Sequence, residues 1–164
     1  MLDGSSKGRR SFAVGGELRE RVLSQLKAVL EARQEVLLAV AFGSFVERSP
    51  ARDVDVAVYL PSGVDILEAA AYAEGLSREL SKLVGLPVDV VVLNFAGEGL
   101  LMRALLKGRP LVVRDLRLAT GLYLLALEVR NVFVLGEPKQ RRSAPRFPLL
   151  LEQAPLTVSQ HFPY

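Results

Sequence analysis

The sequence has no cysteine and no tryptophan, and its single histidine, His161, lies close to the C-terminus. Without cysteine, the chain has no disulfide, no zinc-thiolate site and no cysteine nucleophile. A lone histidine at the end of the chain argues against a histidine base or a histidine-rich metal site. Carboxylates are therefore the only side chains able to form a catalytic cluster, and a bound metal would take oxygen ligands.

Long apolar segments are also missing. The first ten residues contain no apolar core of signal-peptide length, and the longest apolar stretch, 116–127, is too short to span a bilayer. We therefore expect a cytoplasmic protein without membrane association. The net charge of +3 is compatible with an anionic ligand such as a nucleotide, but it is too small to favour a nucleic-acid partner.

The 164 residues, half of them apolar, suit one globular domain. We predict a flexible leader over 1–15, a folded domain over 16–135 and a proline-rich tail over 136–164. Within the domain, apolar periodicity and turn residues indicate a mixed α/β (α+β) fold, with a sheet of about four strands flanked by helices. The predicted helices span 17–33, 64–83 and 98–107, with another from 114; the predicted strands span 35–42, 53–60, 88–93 and 110–113.

The last predicted helix contains the apolar segment 116–135, whose leucines surround much of the helix circumference. Such a helix needs cover on several sides. The segment is therefore a core element or an interface, with either a partner protein or a second copy of the chain.

The most informative pattern is the alternation of Asp53 and Asp55 with valines in a predicted strand. Since side chains two residues apart share one face of a strand, the two carboxylates project together and repel each other unless a cation lies between them. Few hard oxygen ligands suit Mg²⁺, which takes its other ligands from water and substrate phosphates. The pair therefore predicts a site for a metal and a nucleoside triphosphate.

Two further segments can complete this site. Gly43 and Ser44 end the first predicted strand and offer close backbone approach, a hydroxyl and free N–H groups to phosphates. Asp89 interrupts a run of valines, where a buried charge is costly unless it is paired or binds metal. Asp89 joins the site if its strand lies beside that of Asp55 with the carboxylate on the same face.

In order and spacing, Gly43-Ser44, Asp53, Asp55 and the later Asp89 resemble the signature of polymerase-β-type nucleotidyltransferases. Within them the chain most resembles the minimal nucleotidyltransferase (MNT) group, which includes MntA-type antitoxins. The resemblance covers roughly residues 17–115. It implies a polymerase-β-like fold that binds two Mg²⁺ ions through the three carboxylates and moves a nucleoside monophosphate, AMP from ATP in the first instance, to an acceptor hydroxyl. Asp89 would also take the proton from the acceptor.

The basic residues Arg48, Arg52 and Lys107 are candidates for neutralising phosphate charge. The resemblance further implies a helical HEPN-domain toxin as partner, with the acceptor a tyrosine on it and the chain acting as its antitoxin. Two alternatives stay open: an inactive nucleotidyltransferase fold that neutralises a partner by binding alone, and a transferase whose acceptor is a small molecule or an RNA end.

Overall fold

Residues 14–47 and 50–134 are described by the computed structural model of the protein. Most of the predicted leader 1–15 and the whole tail 136–164 lie outside these residues. The elements follow each other along the chain as α1 (Gly16–Glu31), β1 (Leu38–Phe42), α2 (Ser44–Glu47), β2 (Val54–Tyr59), α3 (Ile66–Val84), β3 (Val88–Val92), a 3₁₀ turn (Leu93–Phe95), α4 (Glu98–Lys107), β4 (Arg109–Val113) and α5 (Leu116–Val134).

The predicted strands and longer helices are confirmed, with bounds that differ by at most three residues at either end. The helix predicted over 98–107 coincides with α4. Sequence analysis missed α2 and the 3₁₀ turn because a single turn is too short to show a period.

The sheet has the order β3-β2-β1-β4. β1 is antiparallel to both β2 and β4, whereas β2 and β3 are parallel. The predicted mixed four-stranded sheet is therefore confirmed. β4 is an edge strand, which suits Pro110 because a proline lacks the N–H that a central strand would need.

Helices cover both faces of the sheet. On one face, α1 and α3 pack on Val54, Val56 and Val58 of β2, and Leu26, Leu30 and Leu80 are fully buried there. On the other face, α4 and α5 pack on β1 and on Ala57 of β2. Since the two clusters take alternate residues of β2, with Val54, Val56 and Val58 on one face and Ala57 on the other, Asp55 lies on the face of α4 and α5.

Helix α3 connects β2 to β3 and is bounded by strong local signals. The Asp65 side chain accepts hydrogen bonds from the backbone N–H groups of Leu67 and Glu68. The Glu68 side chain in turn accepts a hydrogen bond from the Asp65 N–H, so the pair forms a capping box. At the other end, Gly85 takes the left-handed conformation, with φ of 70°, that ends a helix. The chain therefore enters β3 at a defined point.

Helix α5 is only partly covered. Its buried side, Ala119, Tyr123 and Ala126, belongs to the cluster shared with α4. Its other side exposes the large apolar side chains of Leu124, Leu125 and Val132, and Leu116 is exposed at the start of the helix. In the described ranges, no helix combines the length and apolar character needed to cross a lipid bilayer.

Candidate active site

The predicted carboxylates lie at one end of the sheet. β1 ends there and β2 and β3 begin there, because β1 runs antiparallel to β2 while β2 and β3 run parallel. In the register, Asp55 is the partner of Phe42 on one side and of Asp89 on the other. Neighbouring strands lie about 4.8 Å apart, so Asp55 and Asp89 stand side by side on one face. The condition set by the sequence for Asp89 to join the site is met.

Asp53 lies one residue before β2 and is half-buried. Its negative charge raises the pKa of Asp55, as does the charge of Asp89. Both of the other carboxylates that the sequence singled out, Asp53 and Asp89, therefore lie near enough for their charges to act on Asp55.

Asp55 is the central member of this group. Partial burial, followed by the charges of Asp53 and Asp89, raises its pKa from the ordinary 3.8 to about 6. The positive charge of Arg103 acts in the opposite direction. At neutral pH Asp55 is therefore ionised at an energetic cost that a nearby cation would remove.

Asp89 lies where it was predicted, but its surroundings differ from the prediction. Sequence analysis took Asp89 as a charge buried among valines, but its side chain is exposed. The reason is that β3 is an edge strand, and the cover from the α4 and α5 side reaches β3 only at Val91. Asp89 therefore owes its place beside Asp55 to strand register, and its side chain is accessible to solvent.

Gly43 has a role that the sequence did not reveal. Its φ is +75°, a region that residues with a Cβ rarely adopt. A Cβ at this position would also collide with Oδ2 of Asp55. The glycine that was predicted to let phosphates approach thus also makes room for the central carboxylate.

After Gly43 the chain turns into the one-turn helix α2. The Gly43 carbonyl accepts hydrogen bonds from the N–H groups of Val46 and Glu47 at 3.1 and 3.0 Å. Phe45 is fully buried, and Nε of Arg19 in α1 donates to its carbonyl oxygen at 2.7 Å. These contacts fix the backbone that presents Ser44 beside the carboxylates.

The three predicted phosphate-binding residues are placed differently. Arg48 lies outside the described residues. Arg52 is exposed and directly precedes Asp53. Lys107 is exposed at the end of α4, and because β4 starts opposite Ala41, it lies at the same end of the sheet as Gly43.

Arg103 is the residue that sequence analysis missed. Its guanidinium lies over the ring of Phe42, 5.9 Å from the ring centroid, and its charge acts on Asp55. It precedes Lys107 by four residues on α4, so both cations share one side of that helix. This spacing was a usable signal, but only the docking of α4 on β1 relates it to the carboxylates.

The donor set fits magnesium. Within the described ranges, no three acidic or histidine side chains are grouped closely enough to form a ready-made metal site. Mg²⁺ does not need such a group, since it is held by one or two carboxylates together with waters and substrate phosphates. Asp55 and Asp89 side by side, with Asp53 in reach, provide carboxylate oxygens on adjacent strands together with mutual repulsion that a cation relieves.

Comparison with known proteins agrees with this geometry. Residues 24–117 match the family described as polymerase beta, nucleotidyltransferase. No protein of curated function matches the chain significantly.

Among solved structures, the chain is similar to one described as a tri-AMPylated Shewanella oneidensis HEPN toxin in complex with MNT antitoxin. The two chains are 16% identical with a TM-score of 0.55, and the match covers 82% of this chain and 97% of that one. A toxin–antitoxin structure with AMP-PNP matches at 17% identity and a TM-score of 0.53, covering 81% and 96%. An MntA–HepT toxin–antitoxin structure matches at 14% and 0.51, covering 84% and 97%. At these identities the likeness establishes the fold.

Proposed function

The chain belongs to the polymerase β nucleotidyltransferase family, and from this premise we propose that it transfers a nucleoside monophosphate, AMP in the first instance, from a nucleoside triphosphate to an acceptor hydroxyl. One observation supports the proposal above all others. Asp55 and Asp89 are register partners on adjacent parallel strands, with Asp53 electrostatically coupled to Asp55. A carboxylate whose pKa is strongly raised by burial and by neighbouring charges, as that of Asp55 is, is typical of a functional site.

The proposed site needs a divalent metal. Asp53 and Asp55 would hold Mg²⁺, and Asp89 would help to hold a second ion. When bound, the metal supplies positive charge that stabilises the attacking and leaving oxygens of an in-line displacement. The all-oxygen donor set and the raised pKa of Asp55 support this assignment.

The chain's own residues would perform the rest of the reaction. Asp89, exposed at the edge of the sheet, takes the proton from the acceptor hydroxyl. The acceptor oxygen forms a bond to the α-phosphorus while the bond from that phosphorus to the bridging oxygen breaks, and pyrophosphate leaves. Ser44 at the start of α2 and the exposed Arg52 and Lys107 would bind phosphate oxygens. The mechanism requires no covalent intermediate on the protein.

We propose that the acceptor is a side-chain hydroxyl of a HEPN-type partner protein and that the chain acts as an antitoxin. One of the similar structures contains an AMPylated HEPN toxin with its MNT antitoxin, which supports this choice. The exposed apolar side of α5, which includes Leu124, Leu125 and Val132, offers a surface for a protein partner. An exposed Asp89 also suits an acceptor supplied from outside the domain.

The test is incubation with Mg²⁺, α-labelled ATP and a candidate HEPN-type partner, to be sought as the product of a neighbouring gene. We expect label on the partner with wild type and none with Asp53→Asn. Glu74→Gln is the matched control, since Glu74 is an exposed carboxylate on α3, on the opposite face of the sheet. Transfer by Asp53→Asn at the wild-type rate would overturn the proposal.

The same proteins separate the alternatives. An inactive binding module would bind the partner but show no Mg²⁺-dependent affinity for ATP. In that case Asp89→Ala would leave the affinity for the partner unchanged. A transferase for small molecules or RNA ends would bind Mg·ATP but leave the partner unlabelled, and it would release pyrophosphate only when its own acceptor is added.

A further inference from the structure

Arg103 lies next to the carboxylates but in no part of the signature that identified them. It projects from the middle of α4, a helix that reaches the site by packing on β1. Its guanidinium lies over the ring of Phe42, the residue immediately before Gly43. Phe42 is 3% exposed, so the ring that supports Arg103 is fixed in the core.

The position of Phe42 links Arg103 to the centre of the site. Phe42 and Asp55 are register partners in an antiparallel pair, and such partners project from the same face of the sheet. Arg103 therefore lies on the Asp55 face, beside the backbone that turns through Gly43 and Ser44. At 5.9 Å from the ring centroid, the guanidinium is within the range of a cation–π contact, which favours this position of the side chain.

If Arg103 were buried, balancing the negative charge of the carboxylates would be enough to explain its position. Arg103 is exposed, however, and its planar group carries five N–H donors in a fork that fits phosphate oxygens. A site that holds Mg²⁺ on the carboxylates no longer needs arginine to balance them. The positive charge of Arg103 is then available to the phosphates that arrive with the metal.

We propose that the Arg103 guanidinium, which lies over the Phe42 ring, binds the triphosphate of the incoming nucleotide. This assignment rests on the proposed function. Lys107, one helical turn further along α4 and also exposed, adds a second cation on the same side of that helix. Recognition is of phosphate charge, so it does not distinguish one base from another.

The experiment compares wild type, Arg103→Gln and Arg103→Lys by calorimetric titration with ATP and with AMP in the presence of Mg²⁺. We expect Arg103→Gln to weaken ATP binding about 10- to 100-fold, since charge-assisted hydrogen bonds are lost. The affinity for AMP, which lacks the β- and γ-phosphates, should change less than about threefold. The affinity of Arg103→Lys for ATP should fall between those of wild type and Arg103→Gln, because lysine keeps the charge but loses the fork of N–H donors.

Arg78→Gln is the matched control, because Arg78 is an exposed arginine on α3, on the other face of the sheet. It should bind ATP as wild type does. If Arg103 served only as a counter-charge for Asp55, Arg103→Gln would leave ATP affinity unchanged or raise it, and that result would overturn the assignment. Equal losses for ATP and AMP would overturn it as well. If wild type itself binds no Mg·ATP, the proposed function fails and this assignment with it.

Discussion

At the scale of single residues, Asp55 is where the requirements of the site oppose those of the fold. It is half-buried between two other carboxylates, and its pKa is raised to about 6. The folded protein thus holds a proton on Asp55 more tightly than the unfolded chain does. Stability from this residue is present below about pH 3.8 and is lost as pH rises through about 6.

Asp55→Asn should therefore stabilise the metal-free protein at pH 8. After discounting for solvent screening of a partly exposed group, the gain should be about 1 kcal/mol. At pH 4 the gain should shrink strongly, because wild-type Asp55 is then mostly protonated in the folded state. Chemical denaturation in EDTA at both pH values measures the effect, and Glu74→Gln serves as control. A gain of equal size at both pH values would show that charge repulsion is not its source.

Gly43 provides a second test at this scale. Gly43→Ala should destabilise the protein through its positive φ, at about 1–2 kcal/mol, and further through the collision with Asp55. Gly85→Ala is a matched control: its φ of 70° is similar, but no atom lies within 4 Å of the added Cβ. Denaturant midpoints should show a larger loss for Gly43→Ala. Equal losses would mean that the Asp55 carboxylate simply moves aside.

The residues of the site were predictable to different degrees. Asp53 and Asp55 could be paired from the sequence because strand alternation is a local property. Asp89 could be singled out but was given the wrong surroundings, since exposure depends on which strand forms the edge. Arg103 could not be related to the site, because only tertiary packing brings α4 onto Phe42.

At the scale of elements, the edge strand β3 depends on α3 for its outer hydrogen bonds. The N–H groups of Val88 and Val90 donate to the hydroxyls of Ser81 and Ser77 at 2.8 and 2.9 Å. These two bonds flank Asp89. The serines thus satisfy backbone donors at an exposed edge and hold the strand that bears the carboxylate.

Replacing both Ser77 and Ser81 by alanine should cost about 1–2 kcal/mol, since two backbone donors lose their partners. Ser24→Ala is the control: Ser24 is exposed on α1, where alanine is a better helix former and the change should be neutral or slightly stabilising. Hydrogen exchange at Val88 and Val90 should accelerate in the double variant. Unchanged exchange there would show that the serines do not hold the edge.

The kinds and order of the elements were readable from the sequence, because apolar periods of 3.6 and 2 residues are local. The sheet order β3-β2-β1-β4 was not, since strand pairing is a long-range property. Because of that order, Asp55 and Asp89 are neighbours although they are distant in sequence. From the sequence, their proximity could be stated only as a condition.

At the scale of the whole molecule, the carboxylates and the exposed side of α5 serve different purposes. α5 presents Leu124 and Val132 at 53% and 73% exposure, although its inner side is well packed. Exposed large apolar side chains spaced along one helix favour contact with another protein. From the sequence, this helix could be either a core element or an interface. In the structure, α5 has both a buried side and an exposed side.

Leu124→Asp should weaken binding of the HEPN-type partner while changing the free energy of unfolding by less than about 1 kcal/mol, since the side chain is already exposed. Leu67→Asp is the control, because Leu67 is 78% exposed on α3, on the opposite face of the sheet. Titration with the partner measures affinity. Should self-association be lost in Leu124→Asp while partner affinity stays the same, the surface joins two copies of this chain instead.

The central claim is that three aspartates at one end of the sheet perform nucleotidyl transfer to a protein hydroxyl. Intact-mass measurement of the partner after incubation with Mg·ATP tests it most directly, using wild type and Asp89→Asn. The account predicts added AMP with wild type and none with Asp89→Asn, although the variant still binds ATP. A partner of unchanged mass with wild type, or full modification by Asp89→Asn, would contradict it.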